Sequence, residues 1–514
     1  MEKNSQYPVI DLFAGPGGLG EGFATCPGES GKPRFHSLVS IECDLFSHRT
    51  LLLRHFLRLF PSEEIPEPYY DYLRGGIEIE DLYRQYNTQY HEASKSALQI
   101  ALGKETHGYV QEIINKRLTG RKKWVLVGGP PCQAYSLVGR SRMMKSPDFE
   151  NDERHFLYRE YLKIIIDHHP PVFVMENVKG LLSARVEGQP VIWRIIGDLT
   201  APKAALGSSI NGLGYRLYSL SEDELPGECV DPRLFLVKAE EFGVPQARHR
   251  MFIVGIRSDI NVKPRRLCRH KAPAVEDTIG HLPAVRSGLS RGRDSPEAWW
   301  NEIVAVATGD LYRELNNECA ATIVSRIRSY TNSGSPPVER SSARYPGRIV
   351  GQHRVLTFMR DDRLCFLDAH GARTHMASDL RRYMYAAVFA KVMKRSPKLS
   401  DFPGSLLPDH RNAGLGASGK MFSDRFRVQL SHEVATTITS HISKDGHYFI
   451  HYDPLQCRSL TVREAARLQT FPDNYKFEGP RTQQYHQIGN AVPPYLAAQI
   501  AEIIAEVLDS MKDD

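Results

Sequence analysis

Short, almost unbroken apolar runs separated by segments of mixed polarity set the rhythm of this chain. Six of these runs read as strands: Pro8-Val9-Ile10-Asp11-Leu12-Phe13, Leu38-Val39-Ser40-Ile41-Glu42, Trp124-Val125-Leu126-Val127-Gly128, Pro171-Val172-Phe173-Val174-Met175-Glu176-Asn177-Val178, Phe235-Leu236-Val237 and Met251-Phe252-Ile253-Val254-Gly255-Ile256. Strands apolar on both faces belong to a buried sheet, and parallel neighbours in such a sheet are joined through helices. Helical segments are in place to do this: a Leu- and Arg-rich one from Phe46 to Leu59, another from about Arg154 to His168, and a terminal one from about Pro494 to Leu508. The expected fold class is α/β, a sheet with helices on both faces.

Two regions break the rhythm. From about Pro61 to Arg121 the pattern turns polar and helical with Tyr-rich patches, which predicts a helical insertion between sheet strands and carries no recognisable chemistry. From about residue 261 to 455 the pattern is irregular. Ala435 to His451 reads there as two strands joined at Asp445-Gly446, a hairpin signal, and a helix around Asp379 to Lys394 has no evident role. At 514 residues the chain exceeds one ordinary core. The expected domains are 1–260, 261–479 as a second smaller domain, and 480–514 returning to the first.

Composition adds little that is unusual. Hydrophobic residues at 41% and charged residues at 25% are ordinary for a globular protein, and a formal charge of +6 permits a polyanionic partner without demanding one. The eight cysteines, at 26, 43, 132, 229, 268, 319, 365 and 457, are scattered, which speaks against a disulfide framework or a thiolate zinc site. No metal is expected. The amino terminus has no apolar signal core, and no later run reads as a bilayer span, so a cytoplasmic protein is expected.

Candidate chemistry gathers where the strands end. Gly15, Gly17 and Gly20 fit G-x-G-x-x-G after the first strand, a loop that lets a nucleotide approach backbone at a helix start, although a plain glycine turn fits the same spacing. The second strand ends on Glu42, either a ribose acceptor or a solvated acid. The third runs into Gly128-Gly129-Pro130-Pro131-Cys132-Gln133, which puts a thiol on a stiff turn at the sheet edge: a nucleophile, or a small buried hydrophobe. The fourth delivers Glu176 to the same rim, as catalytic acid, cap or salt-bridge partner. Arg248 and Arg250, two apart on an extended segment, point one way and can address one ligand. The stretch from Leu137 to Asn151 has the composition of a loop able to close over a substrate or of an inert one.

Taken in order, these motifs resemble the DNA cytosine-5 methyltransferase family. The chain carries Asp11-Leu12-Phe13-Ala14-Gly15-Pro16-Gly17-Gly18, Pro130-Pro131-Cys132-Gln133, Glu176-Asn177-Val178, Gln246-Ala247-Arg248-His249-Arg250 and Gly489-Asn490-Ala491-Val492-Pro493-Pro494, with Leu460 to Asp473 matching the penultimate motif. The ordered set spans nearly the whole chain. The resemblance implies a class I S-adenosylmethionine-dependent methyltransferase sheet and a mixed target-recognition domain, with the substrate in a cleft between them.

By the same resemblance, Cys132 adds to carbon 6 of a flipped cytosine, Glu176 engages nitrogen 3, Arg250 holds the base's carbonyl oxygen, and Arg248 supports the pocket and the thiolate. S-adenosylmethionine would meet Phe13, Gly15, Gly17, Glu42, Leu157, Asn490 and Val492. Its third-strand acid is blurred by the insertion. Ser136, Gly139 and Arg140 on the closing loop, with Arg425 and Arg427 in the recognition region, are the expected DNA contacts. Arg326, Arg328 and Gln429 are further candidate readers, and the basic run Lys263 to Lys271, with Arg286, Arg291 and Arg293, suits phosphates. His447 and His451 read as structural or as DNA contacts.

The implied protein is a monomeric, prokaryotic restriction-modification or phage-defence methylase acting on double-stranded DNA, with a cognate nuclease or defence protein as a possible partner. An RNA cytosine methyltransferase and a silent DNA-binding protein of the same fold remain alternatives. A nicotinamide oxidoreductase explains the glycine loop and Glu42 but not the rest.

Overall fold

The computed structural model describes residues 6–28, 31–131, 154–186, 188–205, 213–222, 231–308, 311–315, 319–347, 353–408 and 424–512. The chain forms two compact units, one of residues 1–242, 248–271 and 491–514, the other of 243–247 and 272–490.

The first unit is built on an eight-stranded sheet. Its strands are β1 (Tyr7–Leu12), β2 (Phe35–Glu42), β3 (Ala97–Gln99), β4 (Val125–Gly128), β5 (Val172–Val178), β6 (Tyr215–Tyr218), β7 (Leu236–Lys238) and β8 (His249–Arg257). The order is β3-β2-β1-β4-β5-β8-β6, with β7 also on β8. Strands β1 to β5 are parallel, and β8 runs antiparallel to β5, β6 and β7. The helices are α1 (Gly18–Ala24), α2 (Leu45–Leu57), α3 (Glu67–Arg74), α4 (Ile79–Gln85), α5 (Asn87–Ser96), α6 (His107–Leu118), α7 (Arg154–His168) and α8 (Val191–Thr200). Ile10, Leu12, Leu126 and Phe173 face Tyr161, Ile164 and Ile165 of α7 in one core.

The order of parallel strands brings the ends of β1, β2, β4 and β5 to one rim. In open α/β sheets the crevice at that rim is where ligands bind.

The insertion is helical as expected, but it also hides a strand. Three-residue β3 pairs Ala97, Leu98 and Gln99 with Ser40, Ile41 and Glu42. It follows α5 directly and is too short to show a period. Strand β6, with its alternating burial at Tyr215 and Leu217, was likewise not foreseen.

The terminal helix, Pro494–Asp509, packs on α1. Among the described residues, Arg481–Asp509 is long and apolar enough to cross a bilayer, contrary to expectation. That reading has a simpler cause: 78% of its most apolar part is buried inside the protein, as a core helix requires.

The second unit has its own core, where Trp299, Ile303, Ile323, Ile327, Leu380, Tyr383 and Val388 meet from three helices, Pro296–Thr308, Ala320–Ser333 and Ala377–Met393. The last of these thereby gains a packing role. The hairpin expected at Asp445-Gly446 does not form. Only Ala435–Thr436 is a strand, paired in parallel with Gln246–Ala247, and 3-10 turns occupy Ser440–Ser443 and His447–Phe449. Gly446 is needed for another reason: it lies at φ +77, and a Cβ there would stand 2.6 Å from Ser459 Cβ.

Candidate active site

The loop after β1 turns repeatedly through left-handed backbone. Gly15 and Gly17 sit at φ +57 and +95, and Phe13 itself is left-handed at φ +59. The loop is tied to β2, because Ala14 N donates to Ile41 O at 3.0 Å. Glu42, at the end of β2, accepts from Gly15 N (2.8 Å) and from Asp44 N (2.7 Å). A Cβ on Gly15 would meet nothing within 4 Å, so the backbone there borders open space. On the helix side, a Cβ on Gly18 would lie 2.4 Å from Val492 O, so the turn after residue 490 presses on this loop. A carboxylate has about four lone-pair directions, and Glu42 has two amide partners, which leaves acceptor capacity toward a ribose.

At the ends of β4 and β5 a second group assembles. Glu176 is paired with Met251's neighbour Phe252 across the β5–β8 ladder, which sets Arg250 within reach: Arg250 Nε lies 3.1 Å from Glu176 Oε1. Burial pushes the Glu176 carboxyl up, against the pull of Arg250 and then Arg248. Burial likewise pulls both guanidinium groups down, Arg248 most strongly, with Glu176 opposing. Arg248 is 1% exposed. Glu176 and Arg250 beside it keep 15% and 16% of their side chains exposed, so the pair lies at the edge of the buried region.

This cluster touches the strand that leads to the thiol. A Cβ on Gly129 would lie 2.9 Å from Glu176 Oε2, so glycine permits the carboxyl to stand against the turn. Asn177 Nδ2 donates to Pro130 O at 3.2 Å and fastens the same turn from β5. Neither tie was read from sequence. A glycine before two prolines and an asparagine after an acid were the available signals, but their meeting depends on β4 and β5 being neighbours.

Cys132, Ser136, Gly139 and Arg140, and the loop they belong to, lie outside the described residues. Leu157 is half-buried on α7. Asn490 ends its helix exposed, Nδ2 to His486 Nδ1 at 3.2 Å, while Val492 reaches the glycine loop through its carbonyl. In the second unit Arg425 and Arg427 are half-exposed, and Arg326 and Arg328 are exposed.

Two expectations need correction, and the open alternative for two histidines resolves. Gln429 is 1% exposed and its amide is spent on Tyr448 O and Thr436, so it does not read a base. The basic run is partly consumed at home: Arg265 pairs with Glu506 at 2.8 Å, and Arg269 with Glu222 and Glu241 at 2.5 and 3.1 Å. Arg286 is buried on Asp294 at 2.9 Å. His447 and His451 are buried too, the first on Tyr383 Oη at 2.7 Å, so both are structural.

Fold and site together define a Rossmann-like α/β protein whose glycine loop and Glu176–Arg250 pair lie at the sheet rim where such folds bind ligands. The chain belongs to the C-5 cytosine-specific DNA methylase family, whose profile matches residues 86–506. It is similar to the type II methyltransferase M.Bpa9945I of Bacillus paralicheniformis, 32% identical over 98% of this chain and 99% of that one. It is also similar to the DNA (cytosine-5-)-methyltransferase M.ApeKI of Aeropyrum pernix, 25% identical over 99% of this chain and 100% of that one. In fold it resembles a solved prophage-encoded E. coli protein assigned as a DNA modification methyltransferase, with TM-score 0.50, 17% identity and coverage of 98% and 100% of the two chains. Family and fold imply S-adenosylmethionine, and the open glycine cradle beside Glu42 fits it.

Proposed function

We propose that this chain methylates carbon 5 of cytosine within a short sequence of double-stranded DNA, as the modification enzyme of a restriction-modification or defence system. The observation that carries the reading is the Glu176–Arg250 pair, 3.1 Å apart and half-buried against the turn that runs into Cys132. Carbon 5 of cytosine is a weak nucleophile. Addition of the Cys132 thiolate to carbon 6 breaks the 5,6 double bond and moves its electron pair onto carbon 5, provided the ring's growing charge is met at nitrogen 3. Glu176, whose carboxyl is pushed up by its surroundings, supplies the hydrogen bond or proton there.

Arg250 holds the base's carbonyl oxygen, and Arg248 adds positive field to the same pocket. S-adenosylmethionine, when bound, supplies the electrophilic methyl group. Phe13, Gly15, Gly17 and Glu42 would hold it, with Leu157, Asn490 and Val492 closing its pocket. Loss of the carbon-5 hydrogen then lets the thiolate leave. The target base must leave the duplex to reach these groups, which gives the segment with Ser136, Gly139 and Arg140 its DNA-contacting role. The protein works on nucleoid DNA in the cytoplasm.

A duplex carrying 5-fluorocytosine tests the reading, because fluorine cannot leave as a proton. With S-adenosylmethionine present, a denaturation-stable adduct mapping to Cys132 is expected on DNA and not on an equivalent RNA. An adduct on RNA alone would overturn the DNA assignment.

A further inference from the structure

In the second unit, residues 424–429 lie beside the turn 445–450 as a hydrogen-bonded ladder. Arg427 N donates to His447 O at 2.8 Å, Ile450 N to Arg427 O at 2.9 Å, and Gln429 N to Ile450 O at 2.9 Å. The buried Gln429 side chain locks the ladder by donating to Tyr448 O at 2.8 Å and accepting from Thr436 N at 2.9 Å. Phe426 and Val428 turn inward at 2% exposure each. Alternation along the extended segment then sends Arg425 and Arg427 to the other side. His447 turns in toward Tyr383, and Tyr448 after it is 39% exposed.

The outward side chains are organised rather than loose. Asp424 accepts from Arg427 Nη2, with both side chains about one-third exposed at 35% and 39%. The Arg427 guanidinium lies 6.0 Å from the Tyr448 ring centroid. The Tyr448 hydroxyl is pushed up by burial first and then by the nearby Asp424, while Arg427 and Arg425 oppose. An acid and an aromatic face thus orient a planar fork on a ladder anchored in the core. That differs from Arg458 and Arg467 of the same unit, which are buried on Glu464 and Asp473 and present nothing outward.

A guanidinium presents paired N–H donors at the spacing of guanine O6 and N7, and holding it in place beforehand reduces the entropy lost on contact. We infer that Arg427, oriented by Asp424 and Tyr448, reads the major-groove edge of a guanine, so that the recognition sequence contains an obligatory G·C pair besides the target cytosine's own. The inference rests on the proposed DNA methylation and gives it a specificity residue.

The test is bisulfite profiling of a randomised duplex pool after methylation by the wild-type chain and by Arg427→Ala, Arg427→Lys and Asp424→Asn. The lysine variant keeps charge and most of the stem should the alanine variant fail to fold. Expected are a wild-type motif with such a guanine and a loss of preference at that one position by roughly tenfold to a hundredfold in both Arg427 variants. Asp424→Asn should soften the same position less, and other positions should hold. A uniform fall over all sequences, with the salt slope of Arg427→Ala binding reduced by about one, would make Arg427 a phosphate contact and overturn the inference. So would an unchanged motif. A wild-type chain that methylates no motif removes the function reading and the inference together.

Discussion

In the proposed mechanism Glu176 shares a proton with a ring nitrogen, and burial pushes its carboxyl up even with two arginines beside it. The protonated form is the working one, so the alkaline limb of the rate profile should follow Glu176, while the thiolate requirement of Cys132 sets the acidic limb. Glu176→Gln keeps a donor but has no proton to share. Steady-state methylation should fall by about 10²- to 10⁴-fold with the alkaline limb flattened, and a surviving limb would assign it elsewhere. Asp11 is a second perturbed acid. Burial raises it to about 7 from 3.8, with Arg58 opposing and Glu42 adding to the rise. A raised carboxyl favours folding below its unfolded value and loses that advantage as pH climbs through the folded one, here from about 4 to about 7. The cost above that window is on the order of 4 kcal/mol. Asp11→Asn should therefore flatten melting temperature against pH and melt higher than wild type at pH 8, by roughly 5 °C. A wild-type-like decline would show that Asp11 is not its source. The residue types at 132 and 176 stand out in sequence because each follows or ends an apolar run, and those at 248 and 250 because they lie two apart just before one. The burial of Asp11 was not, since a polar residue inside a strand says nothing of Arg58 and Gly20 beyond it.

Close packing of small residues decides how the elements of the first unit hold together. Gly22 lies on the face of α1 that meets the terminal helix, where a Cβ on it would stand 2.4 Å from both Ala497 Cβ and Ala498 N, and Gly18 meets the turn before that helix. Because one of these atoms is backbone, the helix itself must move. Gly22→Ala should destabilise by about 1–3 kcal/mol in chemical denaturation, despite alanine's better helix propensity, and a neutral outcome would mean that the two helices separate without cost. Strands apolar on both faces announced themselves, as did the helices that cover them. Strand β3 did not, since three residues hold no period, and Gly446 misled because a glycine required by Ser459 looks the same in sequence as one required by a hairpin.

At the scale of the whole molecule, charge is spent more locally than a net +6 suggests. Arg54 and Arg58 close on the buried Glu21, and Arg265 and Arg269 close on acids of their own unit, so much of the basic content serves cohesion. Sequence alone does not separate these arginines from DNA-facing ones, because their partners lie up to 241 positions away. The ordered motifs, by contrast, carried family and chemistry from the first reading, since the reaction fixes residue types whatever the intervening chain does. The central claim is that this chain writes a methyl group on cytosine through Cys132. Bisulfite sequencing of plasmid DNA from cells expressing the wild-type chain beside Cys132→Ser tests it most directly. The account predicts protected cytosines confined to one short motif with the wild type and none with the variant; protection that survives in Cys132→Ser, or is absent from both, would contradict it.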